Sequence, residues 1–380
     1  MPSENKGIKA LAFLKAALDI DAETESLAFL NHYLSGLHGM KVDGAGKSSG
    51  RIWVEKGKLQ PGTDLAVVAR KLRMELLSYR SKGEGNIRLG VKANAHDTAD
   101  VAIEFGSLQA YHADSDEPLV TGEGLSITGS GGTTFVRTEG EALDASYITV
   151  TIPSVKVPDL KVYQRYLPDR LALTLHGGRG ELRGKAEMTP KGFNTGIMLV
   201  SQDADVGLKD RRFTTDLDMA VKADCPSIAS SSIDIAGTYI RLNDAKLSVL
   251  KQKKSKPWNA SLAIEKGVLK LRLPEEITKN ADIRQLWAAI DNKDVIALLD
   301  TEQEVLKLSG RISDLSWLNL LLKNPYNMAI GGAGELTADV SLASGWPAKG
   351  TLLKIDPQEL TVNVLDYVAT GGGMVMLEVK

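Results

Sequence analysis

Gly44-Ala45-Gly46-Lys47-Ser48 carries the glycines, the lysine and the hydroxyl that cradle a phosphate in nucleotide-binding loops. That chemistry needs a further glycine five places before the last one, and a helix afterwards whose free amides and dipole meet the anion. Position 41 is Lys41, and the residues after Ser48 alternate as a strand does, so the stretch reads as strand rather than phosphate loop. The histidines, His32, His38, His96, His112 and His176, have no metal-ligand spacing. His32 aligns with Leu320 in the repeat described below and reads as a packing position. The single cysteine, Cys225, excludes an intrachain disulfide and reads as a buried, inert thiol. Gly122-Glu123-Gly124 reads as a turn. Lys251 to Lys256 has the charge to meet anionic headgroups, but reads first as a solvated hairpin tip. No carboxylate pair recurs in a way that suggests acid–base work. The expectation is a protein that is not an enzyme, with no catalytic residue, no metal and no cofactor.

What positions these residues is a repeat. Gly44 to Val91 aligns without a gap on Gly332 to Val379, an offset of 288 residues (Gly332 against Gly44). Tyr79 falls on Tyr367, and further back Leu27, Leu30, Asn31 and Leu34 meet Leu315, Leu318, Asn319 and Leu322. The similar positions are spaced by two, the period of a strand with one buried face. In the first copy they are Ile52, Val54, Leu65, Val67, Leu72, Met74, Leu76, Ile87, Leu89 and Val91. In the second they are Val340, Leu342, Leu353, Ile355, Leu360, Val362, Val364, Val375, Leu377 and Val379. In the first copy they fall into four runs, Ile52–Val54, Leu65–Val67, Leu72–Leu76 and Ile87–Val91, so each copy reads as four or so antiparallel strands in a meander, with the glycines and Pro61 in the turns between the runs. Leu27 to Leu37 and Leu315 to Leu322 have helical spacing, so the module is strand, short helix, then strands.

A weaker third copy lies near residues 149–223. Asp159-Leu160 corresponds to Asp314-Leu315, Gly178-Arg179-Gly180-Glu181-Leu182 to Gly332-Ala333-Gly334-Glu335-Leu336, and Phe213 stands where Tyr367 stands. Further alternating runs fill 98–152, among them Phe135-Arg137, and 227–274. Residues 275–299 are helical, with Ile283, Leu286, Trp287 and Ile290 on one face. The organisation expected is a first repeat at 1–92, a middle β region with the weaker copy at 93–226, hairpins and a helical segment at 227–303, and a last repeat at 304–380.

Composition bounds the partners. The chain has 46 basic and 48 acidic residues, a net charge of −2, and only 5% aromatic residues, which speaks against nucleic acid. No run of 18 apolar residues encodes a membrane span, and Lys15 interrupts the apolar start that a secretion signal would need. The chain begins near a repeat boundary and stops on a strand, so it is expected to be a piece of a longer protein.

Leu306 to Leu318, then Gly332 to Val340, Gly345, Leu360-Thr361-Val362-Asn363-Val364 and Tyr367, resemble the AsmA-like family of Gram-negative envelope proteins, which includes TamB and the YdbH-type members. The resemblance is one of repeat style over most of the chain, and no single motif is diagnostic. It implies a mainly β fold: an elongated antiparallel repeat sheet curled into a groove, a β-taco, with a few short helices. It also implies a periplasmic location with an inner-membrane anchor in the parent protein, and phospholipid carried along an apolar channel between inner and outer membranes. This chain departs from the family in lacking the anchor.

The residues themselves leave two outcomes open. A long sheet with one apolar face must cover it, either by closing into a core or by holding acyl chains in an open groove. In the groove, the twenty period-two residues above are the lining, phospholipid acyl chains are the partner, and the ends of the groove or the missing anchor meet the membrane. The alternative is a scaffold whose sheet edge pairs with strands of an outer-membrane or periplasmic partner protein.

Overall fold

The computed structural model describes residues 15–35, 37–92, 98–134, 146–167, 173–208, 211–247, 257–280, 283–291, 298–300, 305–320, 329–343, 346–365 and 367–380. Its described residues are mainly β, with a few short helices, and the strand pairings described below are antiparallel. The chain divides into two compact units, one of residues 1–156, 183–194 and 279–291, the other of 157–182, 195–278 and 292–380.

The first unit holds a meander of seven strands: β1 (Lys15–Thr24), β2 (Lys41–Glu55), β3 (Asp64–Leu76), β4 (Tyr79–Val91), β5 (Thr98–His112), β6 (Ser126–Gly132) and β7 (Tyr147–Val157). Each pairs antiparallel with the next. Between β1 and β2 the chain makes a 3-10 turn (Ala28–Leu30) and one helical turn, α1 (Asn31–Leu34). Leu27, Leu30, Tyr33, Leu34, Leu37 and Met40 of this connection are all buried. The Tyr33 hydroxyl donates to the Ala99 carbonyl at 2.9 Å, so the connection reaches β5 across the apolar face. Alternation along β3, β4 and β5 supplies the other side of that core.

The chain then runs through a 3-10 helix (Leu160–Tyr166) into β8 (Leu173–Met188), β9 (Phe193–Leu208) and β10 (Arg211–Cys225). In the second unit β10 pairs with β11 (Tyr239–Leu247), and the ladder continues through β12 (Trp258–Lys266), β13 (Leu306–Ile312), β14 (Ala329–Val340) and β15 (Leu352–Val364). Beside β15 lie β16 (Tyr367–Gly371) and β17 (Val375–Glu378). These two are the halves of what β4 is in the first copy, interrupted at Gly372-Gly373-Met374. Two helices, α2 (Glu275–Asn280) and α3 (Ile283–Asp291), fall in sequence between β12 and β13, and Ile283 and Leu286 of α3 are buried in the first unit.

The repeat is built in three dimensions down to single hydrogen bonds. The Asn31 side chain donates to the Val42 carbonyl and accepts from the Val42 amide, at 2.9 and 2.7 Å. Asn319 does the same to Ile330 at 2.7 and 2.8 Å. The Thr63 hydroxyl bridges the amide and carbonyl of Trp53, and Thr351 bridges those of Ser341. The helical turns open alike: Ser26, Asp159 and Asp314 each accept from the amide two residues on. The residue after each of these, Leu27, Leu160 or Leu315, is almost fully buried. The weaker middle copy thus has the same element order as the other two, strand, 3-10 helix, three strands. The structure adds a partial echo after β10, where Ile228 is buried at the start of another 3-10 turn.

Two expectations are corrected here. Leu65 and Leu76 belong to one strand rather than two, because β3 absorbs an extra residue: its buried positions are odd up to Ala69 and even from Leu72. The matching shift in pairing falls between Ala45 and Gly46, and between Ala333 and Gly334 in the other copy. Gly44, Gly46 and their counterparts therefore sit inside strands at a bulge, not in hairpin turns. Gly44 has φ +134° and Gly332 φ +114°, and a Cβ there would lie 1.6 Å from the Lys71 carbonyl oxygen and 1.8 Å from that of Glu359. The runs containing Phe135 and Lys251 to Lys256 lie outside the described residues.

Alanine at Gly44 or Gly332 is expected to cost about 2–4 kcal/mol, from backbone strain and the forced separation of two strands. Alanine at Gly196, where a Cβ meets nothing within 4 Å, is expected to change stability by less than about 0.5 kcal/mol. Urea midpoints of the three variants check this.

Candidate functional site

The motifs that could do chemistry separate in space. Lys47 and Ser48 lie in β2, where side chains alternate between faces. Lys47 pairs with Asp21 at 2.9 Å, and Ser48 is buried with its hydroxyl unpartnered among the described residues. No phosphate cradle forms. His32 is exposed, against its reading as a packing position; the pattern misled because its partner Leu320 is apolar. His38 is buried with its Nε2 3.3 Å from the Ser146 hydroxyl. His112, also buried, has Nε2 2.9 Å from Asp291 Oδ2, while its Nδ1 accepts from the Asp114 amide. That hydrogen bond, with Trp287 ring-packed on Tyr79 at 5.8 Å, fastens α3 to the ends of β4 and β5. No group of three or more His, Cys, Asp or Glu that could hold a metal occurs among the described residues.

Cys225 is buried, and burial first, then the neighbouring Asp224, pushes its thiol above the usual cysteine range. Asp43 shows the opposite shift. The Gly44 amide, then Arg73 and Ser26, hold its carboxyl below the usual range, which ties the strand just before the Gly44 bulge to the start of the helical turn.

The apolar face of the repeat is the remaining candidate, and its two copies differ. In the first unit, all ten predicted positions, Ile52, Val54, Leu65, Val67, Leu72, Met74, Leu76, Ile87, Leu89 and Val91, are buried. In the second unit only Ile355 is buried, packed with Ile312 and Leu315 in a cluster bordered by Ile330, Leu336, Leu360 and Val375. Val340, Leu342, Leu353 and Val362 are half-buried. Val364, Leu377 and Val379 are exposed, by 37%, 54% and 38%. Around them Leu365, Tyr367, Val368, Met374 and Met376 are also exposed, Tyr367 by 80%. That patch was missed in the sequence, because half of it lies on positions that the period of two assigns to the polar face.

No family model, curated protein or solved structure matches the chain. No helix among the described residues is long and apolar enough to cross a membrane.

The two copies are expected to respond differently to a charge. Leu76→Glu buries an unpaired carboxylate and should cost about 3–5 kcal/mol, whereas Val364→Glu should cost less than about 1 kcal/mol. Thermal or urea unfolding of the pair decides it. Cys225 should resist a thiol reagent at neutral pH until the protein unfolds. Because its folded pKa is raised, the stability it contributes is present below about pH 8.5 and is lost as pH rises through the folded value.

Proposed function

We propose that this chain handles lipid along the apolar face of its repeated β-meander, as part of a groove that carries phospholipid between the inner and outer membranes of a cell envelope. The observation that carries the reading is the exposed apolar surface of the second unit. Positions that are closed into a core in the first copy remain apolar in the second, although water reaches them there. Exposed apolar side chains at this density are ordinarily covered by something. An acyl chain asks only for such surface, since each buried CH₂ contributes about 0.8 kcal/mol and no polar group is needed for recognition. The resemblance to the AsmA-like family points the same way. In this reading the second unit is the open, lipid-accessible part, the first unit is the closed part, and the parent protein resides in the periplasm with an inner-membrane anchor.

A second reading has its own support. All five residues of β16 are exposed, on both faces of the strand, and among the described residues no strand pairs with β16 or β17 on the side away from β15. An open edge of this kind accepts a strand from a partner, which would make the chain a scaffold that acts by β-augmentation.

Mass spectrometry of natively purified protein separates the two. Co-purifying phospholipid is expected for the wild type and for Val68→Glu, an exposed position on the outward face of β3, and should be lost in Val364→Glu while that variant stays folded. Lipid-free wild-type protein, or lipid retained undiminished by Val364→Glu, would sink the groove reading.

A further inference from the structure

Four arginines on the meander of the first unit are paired with carboxylates: Arg51 with Asp19, Arg70 with Glu23, Arg73 with Asp43 and Arg80 with Asp116. Arg88 on β4 is exposed and has no such partner among the described residues. Its cross-strand neighbours are Ala66 and Ala102, so no acceptor side chain stands directly opposite it. The row continues outward to Thr128 and Thr149. In the next row Asp64, Gly90, Asp100, Ser130 and Tyr147 stand side by side across five strands.

These two rows point away from the buried core, since the alternate residues Leu65, Leu89, Val101 and Ile127 fill it. Small residues at the centre and long ones at the rim leave an open cleft of about 770 Å³. A Cβ on Gly90 would meet only the Thr63 carbonyl oxygen, at 3.9 Å, so the space above the floor is empty. Lys92 is held by Asp100 at 3.2 Å and leaves Arg88 as the uncommitted cation. On the far side Tyr147 exposes 54% of its surface. Three strand spacings, about 14 Å, separate Arg88 from Tyr147.

The chemistry selects the ligand. A lone phosphate would use Arg88 and a hydroxyl but leave the Asp64 carboxylate and the Tyr147 ring unused, and an acyl chain would desolvate carboxylates and hydroxyls without replacing their hydrogen bonds. A short saccharide bearing a carboxylate uses every group. The guanidinium forks onto the carboxylate, the Asp64 carboxylate and the threonine and serine hydroxyls meet ring hydroxyls, and the Tyr147 ring packs against the C–H face of a sugar two or three rings along. We infer that this outward cleft binds a short acidic saccharide of the uronate type, with Arg88 on its carboxylate and Tyr147 on a sugar ring. The inference is independent of the lipid reading, which concerns other side chains.

Calorimetric titration of the whole chain at low salt tests it, with trigalacturonate and a hyaluronan tetrasaccharide as uronate probes and maltotriose and inorganic phosphate as controls. Saturable binding of at least one uronate probe is expected. Arg88→Ala should weaken it about tenfold or more, the loss of one charge-assisted bidentate contact. Tyr147→Ala should weaken it by a smaller factor, and Gly90→Phe should abolish it by filling the floor. All three sites are on the outward surface, so unchanged unfolding midpoints keep the comparison clean. Absence of binding by both uronate probes overturns the proposal, as does binding that survives Arg88→Ala and Gly90→Phe. Equal affinity for maltotriose removes the carboxylate from the recognition, and equal affinity for phosphate reduces the cleft to a generic anion site; either result also overturns it.

Discussion

A meander of long antiparallel strands has one apolar face, and everything else in this protein follows from how that face is kept from water. Backbone pairing alone gives no preference for either side of a sheet; alternation does, and it leaves a continuous apolar stripe that must be covered. In the first unit the cover comes from the chain itself. The connection from Leu27 to Met40 crosses from β2 as far as β5, anchored at one end by the double hydrogen bond of Asn31 to Val42 and at the other by Tyr33 to Ala99. At the ends of β4 and β5, α3 adds Ile283 and Leu286, with Asp291 reaching the buried His112. In the second unit the same clamp exists at Asn319 and Ile330, yet the burial it produces is confined to the neighbourhood of Leu315, Ile312 and Ile355. The same local design therefore closes one face and leaves the other partly open.

The bulges explain how one sheet can hold this alternation over strands of thirteen residues or more. A strongly twisted ladder drifts out of register with its cover, and an extra residue on one strand resets both twist and phase. Placing glycines opposite that extra residue lets the backbones approach, as the closeness of Gly44 to the Lys71 carbonyl shows. A side chain at that point would push β2 and β3 apart and break the pairing that the bulge exists to preserve.

The mainly β, antiparallel character of the fold was legible in the sequence, because period two marks many of the strands and a gapless repeat doubles the signal. Three features were not, and each for a physical reason. The shift from odd to even positions between Ala69 and Leu72 reads in the sequence as a strand break, since a change of phase looks the same whether the chain turns or bulges. The distribution of burial between the copies was invisible: Val91 and Val379 are the same residue type at equivalent positions, and only the third dimension decides that one is buried and the other exposed. The exposure of His32 against the apolar Leu320 shows the converse, a position whose partner misstates its surroundings.

The outward cleft was illegible for a deeper reason. Arg88, Ala102, Thr128 and Thr149 are scattered over sixty residues of sequence, and nothing in their spacing marks them as neighbours; only the register of β4, β5, β6 and β7 lines them up. Register is also what keeps the two faces distinct, for a slip by a single residue would turn Leu89 outward and Arg88 into the core. The apolar requirement that fixes Leu65, Leu89, Val101 and Ile127 on the inside thus fixes, without any further selection of geometry, which polar residues meet on the outside. One face of these strands is specified by the cost of exposing hydrocarbon, and the arrangement of the other face is inherited from it. Substitutions on the outer rows can then change what the cleft recognises while leaving the fold intact.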